Sequence, residues 1–213
     1  ALDNAVNAFT SSTAKVSDFT VYDSVGRKTA IIDAMGATTL YSYDALGRVT
    51  EQIRKGAYAD ITTSTITSLK DGSLSAAELS YQSATSADAR IANVYDDQGR
   101  LAYSLTDIDG IQAAVKQNHY DAAGNLVKTS GYSKTVNYKG NYSNSELLNT
   151  LSSKNALNDN NNRTNWFYYD KADRLRFSVD SSGAITETRY DNTGKISTIV
   201  QYENSLRNSS LST

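Results

Sequence analysis

At 213 residues the chain is worth about one and a half ordinary domains at roughly 150 residues each, and its formal charge is −2 from 21 basic and 23 acidic side chains. With no cysteine and a single histidine, disulfide staples, thiolate cages, cysteine nucleophiles and multi-histidine zinc sites are excluded. The near-neutral balance gives no basic footprint for nucleic acid, and no run of eighteen apolar residues is present to span a membrane as a helix.

Proline is also absent while tyrosine reaches 15. Proline removes a ladder donor, so a proline-free chain rich in Tyr, Ser, Thr and Asn fits extensive strand pairing. No charged and apolar leader opens the sequence, so any export signal is expected outside it.

Taken in chain order, the sequence repeats itself. Residues 1–19, with Leu2, Val6 and Phe9 at helical spacing, are read as the end of a preceding module. Tyr-Asp-x-x-Gly-Arg or a close variant then begins at Tyr22, Tyr43, Tyr95, Tyr120, Tyr169 and Tyr190. Within each pair lies a further Asp-x-x-Gly: Asp33 to Gly36, Asp107 to Gly110 and Asp180 to Gly183. Tyr22 and Tyr95 are 73 residues apart, and Tyr95 and Tyr169 are 74 apart. The spacing divides the chain into modules 20–94 and 95–168 and a partial module 169–213.

Each Asp-x-x-Gly predicts a hairpin. A type I turn followed by a residue at positive φ forms a common short connection, and the Asp can accept from backbone N–H groups two or three residues on. Asp23, Asp44, Asp96, Asp121, Asp170 and Asp191 are therefore read as caps, and Gly26, Gly47, Gly99, Gly124 and Gly194 as hinges. Asp173 stands where the fifth motif should have its glycine. The runs between turns alternate like strands, with Leu175, Phe177 and Val179 on one face, and Leu101, Tyr103 and Leu105 on the matching one. The motif tyrosines are expected to stack ring beside ring on neighbouring hairpins, with the Arg or Lys after each glycine lying on a ring.

Two connectors, 54–94 and 130–168, interrupt the hairpins. Ser75 with Glu78 fits a capping box. Asn144-Ser145-Glu146 before LLNTL predicts a short amphipathic helix with Leu147, Leu148 and Leu151 on one side. Both are expected to pack on the sheet or shield its edge, and 155–165 is expected to be loop until Trp166. The predicted fold is thus mainly β, an antiparallel hairpin meander, open or spiralling, with short helices in the inserts.

The titratable groups point to no catalytic centre. His119 occupies a position filled by Ser42 and Arg189 in the other modules, which predicts an ordinary exposed site. Carboxylate pairs such as Asp96/Asp97 and Asp107/Asp109 lie in turns and read as caps rather than acid/base pairs. The Asp159–Asn162 cluster is read as a solvated turn, with cation binding the lesser alternative. No cofactor and no metal is expected. Trp166, Tyr58 and Tyr132, all in inserts, are the candidate ligand contacts.

YDALGRV, YDDQGRL and YDAAGNL, with their pair spacing, closely resemble the YD repeats of the RHS-repeat family, which includes bacterial polymorphic toxins, the cocoon-forming subunits of insecticidal toxin complexes and animal teneurins. The resemblance covers about half the chain. It implies a long antiparallel sheet forming a shell or barrel, in the toxin members around a toxic cargo, and makes the Tyr-Asp-x-x-Gly residues a structural signature. The 40-residue inserts depart from shells of uninterrupted hairpins, and neither a self-cleaving core segment nor a cargo domain is present. A non-enzymatic wall or stalk of a large secreted or surface bacterial protein, toxin-like or adhesin-like, is the expected role. Its partners would be neighbouring modules of the same chain and an encapsulated cargo or a cell-surface glycan or protein. The alternative is a carbohydrate- or receptor-binding adhesin module.

Overall fold

In the computed structural model, which describes residues 18–84 and 86–202, the chain is mainly antiparallel β, with thirteen strands and two short α-helices. It divides into two compact units between Ala92 and Asn93. The helical reading of Leu2, Val6 and Phe9 lies outside the described residues.

The first unit runs β1 (Phe19–Tyr22), β2 (Lys28–Ile32), β3 (Ala37–Tyr43), β4 (Val49–Tyr58), α1 (Thr63–Lys70) and then into β5 (Ala89–Tyr95). Each strand pairs antiparallel with the next. Val21, Ala30 and Ile32 are buried together with Ala59 and Leu79 from the insert, and Leu69 of α1 packs against them. The insert therefore turns back and covers one sheet face, as predicted, at about 1.5–3 kcal/mol for each large apolar side chain fully buried.

The segment that the sequence singles out does supply Ala76, Leu79 and Tyr81 to this packing, but the helix beside them is not the predicted one. Ser75 and Glu78 do form their box, with Glu78 Oε2 accepting from Ser75 N–H and Oγ–H, both at 2.8 Å. It caps only a single 3-10 turn, Ala76–Glu78, after which Leu79 is extended. The true helix is α1, whose cap Thr62 accepts from Thr65 N–H at 3.1 Å. Its Thr- and Ser-rich sequence has weak helix propensity.

The second unit holds β6 (Leu101–Asp107), β7 (Gln112–Tyr120), β8 (Leu126–Gly131), β9 (Val136–Asn137), α2 (Asn144–Ser153), β10 (Arg163–Tyr169), β11 (Leu175–Val179), β12 (Ile185–Tyr190) and β13 (Ile196–Tyr202). Its strand order is β6-β7-β8-β10-β11-β12-β13, with β9 also paired to β7. The order is linear, an open meander rather than a closed barrel. Tyr103, Leu105, Ala113, Val115, Val136, Leu147, Leu151 and Ala156 are buried.

Helix α2 is present where predicted, but Ser143 caps it, not Asn144. Ser143 Oγ accepts from Glu146 N–H at 3.2 Å, which satisfies the cap-to-third-residue spacing of a capping box. Strand β10 begins at Arg163, three residues before the expected end of the loop, because Arg163, Thr164 and Asn165 pair with Gly131, Ser130 and Thr129 of β8.

Candidate functional site

The residues singled out in the sequence build one recurring unit, a closed turn tied to its neighbour. In the first, Asp23 Oδ1 accepts from Val25 N–H at 3.1 Å and Arg27 N–H at 2.8 Å, while Oδ2 holds Arg27 Nε at 2.7 Å. Gly26 N–H donates to Asp23 O at 3.0 Å and Asp23 N–H to Arg27 O at 2.8 Å. The same carboxylate set recurs at Asp44, Asp96 and Asp170. Asn125 replaces the arginine on Asp121, and Thr193 with Lys195 N–H serves Asp191.

The carboxylate thus reaches two and four residues on, not two or three. The N–H of the third residue on is taken by the Asp main-chain carbonyl, and the positive φ there turns the next N–H back to the side chain. Sheet register shifts at the motif tyrosines Tyr22, Tyr43, Tyr120, Tyr169 and Tyr190, the bulge expected of this turn.

Gly47 sits at φ +78 with its nearest neighbour to an added Cβ 4.0 Å away, so only backbone conformation restricts it. Gly47→Val is expected to lower stability by about 1–2 kcal/mol, read from the urea midpoint. Asp173 takes the same conformation without being glycine, at φ +54. Aspartate is among the few side chains that tolerate it, and Asn125 Nδ2 holds its carboxylate at 2.9 Å.

The second half of the unit joins hairpins. Tyr43 O–H donates to Lys28 O at 2.6 Å, Tyr120 to Leu101 O at 3.0 Å, Tyr169 to Leu126 O at 3.0 Å and Tyr190 to Leu175 O at 2.8 Å. Each acceptor is the first strand residue after an earlier turn. The arginine of that turn lies over the ring: Arg27 on Tyr43 at 4.9 Å, Arg100 on Tyr120 at 4.7 Å and Arg174 on Tyr190 at 4.5 Å. Arg27 and Arg100 also donate to the main-chain oxygens of Asp44 and Asp121. A guanidinium rests on each of these three tyrosines, the cation contact expected from the residue after each glycine. The planar cation satisfies the carboxylate at its Nε edge and the ring at its face together. Tyr190→Phe is expected to cost about 1 kcal/mol in urea denaturation, with the fold retained.

The carboxylates of Asp23, Asp44, Asp96, Asp121, Asp170, Asp180 and Asp191 are held below their ordinary value of 3.8. Backbone hydrogen bonds from the fourth residue on lead at Asp23, Asp44 and Asp121. Side-chain hydrogen bonds lead at Asp170, Asp180 and Asp191. At Asp96 burial is the largest influence and opposes the shift, but the Arg100 hydrogen bonds outweigh it.

The candidate ligand contacts fall in three different settings. Tyr58 ends β4, partly exposed. Trp166 is half-buried in β10 with Lys128 Nζ 4.9 Å from its ring. Tyr132 donates to Gln117 Oε1, whose amide donates to buried Tyr103 at 2.9 Å. Burial, with Tyr103 nearby, pushes the Tyr132 hydroxyl up to about 12. The Asp159–Asn162 turn is already partnered: Asp159 accepts from Asn161 and pairs with Lys134 Nζ at 3.5 Å, and Asn162 bridges Ser133 N–H and Ala156 O.

His119 departs from the sequence reading. It is half-buried, with Nε2 buried and unpartnered. Burial foremost, then Lys128, holds its pKa below 6.5. Sequence reasoning also passed over Glu187 in a strand that reads as polar. Glu187 is buried, gripped by Arg176 Nη2 at 2.6 Å, Arg189 Nη2 at 2.8 Å and Tyr202 O–H at 2.7 Å. Its partners lie on three different strands, so only the register reveals it. Among the described residues no group of three His, Cys, Asp or Glu could hold a metal ion.

Fold and clamp together define a repeat protein whose signature residues are spent on its own hairpins. Residues 22–57 match the family model described as RHS Repeat. No curated protein matches the chain. Among solved structures it is similar to TcdB2-TccC3-TEV (13% identity, TM-score 0.46, 94% of this chain and 9% of that one). It is similar also to TcdB2-TccC3-Cdc42 (14%, 0.46, 96% and 10%) and to TcdB2-TccC3 without its hypervariable C-terminal region (14%, 0.45, 94% and 9%). The chain spans about a tenth of the length of those chains.

Proposed function

We propose that this chain is a non-enzymatic stretch of wall in a large secreted or surface bacterial protein, toxin-like or adhesin-like, with modules at 20–94, 95–168 and 169–213. The observation that carries the reading is the hydroxyl-to-carbonyl tie of Tyr43, Tyr120, Tyr169 and Tyr190. A side chain whose polar atom closes onto the previous hairpin extends a sheet by one hairpin per repeat and leaves no group poised for chemistry. Asp23, Asp44, Asp96, Asp121, Asp170 and Asp191 are likewise occupied by hydrogen bonds and held ionised, the reverse of what a general acid at neutral pH needs.

Each repeat contacts its neighbours in sequence, so length is added without redesign. A shell around a cargo and an extended stalk use the same wall. Electron microscopy of the parent polypeptide tests the reading: this segment is expected to form part of a hollow or elongated body. A segment that folds as a detached globule, or a purified chain that turns over any substrate in a broad hydrolase screen, would overturn it.

A further inference from the structure

The second unit carries a groove of about 400 Å³ that the clamp does not use. Its floor is one cross-strand row. Lys116 of β7 stands opposite Gly131 of β8, and Arg163 of β10 stands opposite Gly131 from the other side. Residues directly opposite share a face, so two cations flank a position with no side chain. Strands spaced about 4.8 Å apart put Lys116 and Arg163 on backbones roughly 10 Å apart.

Nothing in the backbone requires glycine there. Gly131 has no positive φ, and an added Cβ would meet only Arg163 O at 3.8 Å and Arg163 Cβ at 4.0 Å, ordinary contacts. A strand glycine without a conformational reason weakens its strand and marks a close approach by something else. The equivalent row of the first unit is Thr39–Arg54–Ala89, with the cation in the middle and small residues outside. The row Thr186–Gln201 occupies the same place in the last hairpin. The gap between two cations is thus particular to Lys116–Gly131–Arg163.

Both cations are exposed, and neither side chain makes an ion pair or hydrogen bond among the described residues. The groove contains no carboxylate. Its remaining polar lining is neutral, including Ser104, Asn161 and Asn165, and Tyr132 contributes to the wall. A small inorganic anion held by the two cations would leave the neutral amides of the lining unused. Anionic groups repeated along a ligand rich in hydroxyls would meet both cations and the amides between them.

We propose that the Lys116–Gly131–Arg163 row binds an acidic saccharide, with a sugar ring seated over Gly131 and the carboxylates of successive sugar residues directed at Lys116 and Arg163. Titration of the chain with tetragalacturonate, followed by amide NMR shifts and calorimetry, tests this. Saturable binding is expected, with shifts centred on Gly131, and maltotetraose, which lacks carboxylates, is expected to bind far more weakly. Lys116→Gln and Arg163→Gln are each expected to weaken binding about tenfold. Gly131→Val is expected to abolish it without lowering the melting temperature. Absence of saturable binding, equal binding of tetraglutamate, or binding that survives Gly131→Val would overturn the proposal.

Discussion

Gly56→Ala is expected to destabilise the first unit by about 3 kcal/mol, the upper end for forcing atoms into a filled space. Gly56 lies in β4 with no positive φ, so the cost is steric rather than conformational. Its added Cβ would overlap the Ser86 carbonyl oxygen, lie 2.6 Å from the Ser86 carbonyl carbon and 2.8 Å from Ala87 O. These are main-chain atoms that cannot swing away as a side-chain tip would. They are also tied in place: Ser86 N–H donates to Gly56 O at 3.3 Å, Gly56 N–H to Asp88 Oδ1 at 2.9 Å, and Lys55 Nζ to Asp88 Oδ2 at 2.7 Å. Relief of the overlap would break these bonds and lift the insert off the strand. Gly131→Ala is the matched control, since its Cβ meets nothing closer than 3.8 Å. Urea denaturation of both variants should show a large fall in midpoint for the first and little change for the second. Equal midpoints would refute the close approach.

Acid is expected to unfold the protein through its turns. Asp23, Asp44, Asp96, Asp121, Asp170, Asp180 and Asp191 are all held below 3.8, as Glu187 is held below 4.5, chiefly by Arg189. For a depressed carboxylate the unfolded chain binds the proton more tightly. The stabilisation is therefore complete above the unfolded value and is lost as pH falls through the lower folded one. The groups act together, so the urea midpoint should decline steeply below about pH 4. His119, held below 6.5, adds a smaller decline of the same sign from about pH 6.5 downward, because it charges more readily when unfolded. A midpoint independent of pH from 5 to about 2.5 would mean that the carboxylate bonds contribute nothing.

The hairpins were legible in the sequence because their cause is local. Asp, Gly and the residue after Gly lie within five positions, and Asp23 to Arg27 form a complete turn with no help from elsewhere. What was hidden required register. That Arg27 would lie on a tyrosine could be expected, but that it would be Tyr43 of the following turn depends on how strands align. Glu187 and the Lys116–Gly131–Arg163 row are invisible for the same reason.

Local propensity failed in the inserts. The β-branched run of α1 gives no helical signal of its own and forms because Thr62 caps it and Leu69 finds the sheet. Ser75 and Glu78 display the textual signature of a helix start yet close only one turn. The glycine at 56 looks like any flexible position until the chain 30 residues later is laid against it.

Amide hydrogen exchange on the 213-residue chain measures the repeated turn most directly. The N–H groups of Asp23, Asp44, Asp96, Asp121, Asp170 and Asp191 each donate to the carbonyl four residues on, and should be protected at least about 100-fold over an unfolded chain. Free exchange at those six amides, with the strand interiors still protected, would contradict the closed turns on which the whole arrangement depends.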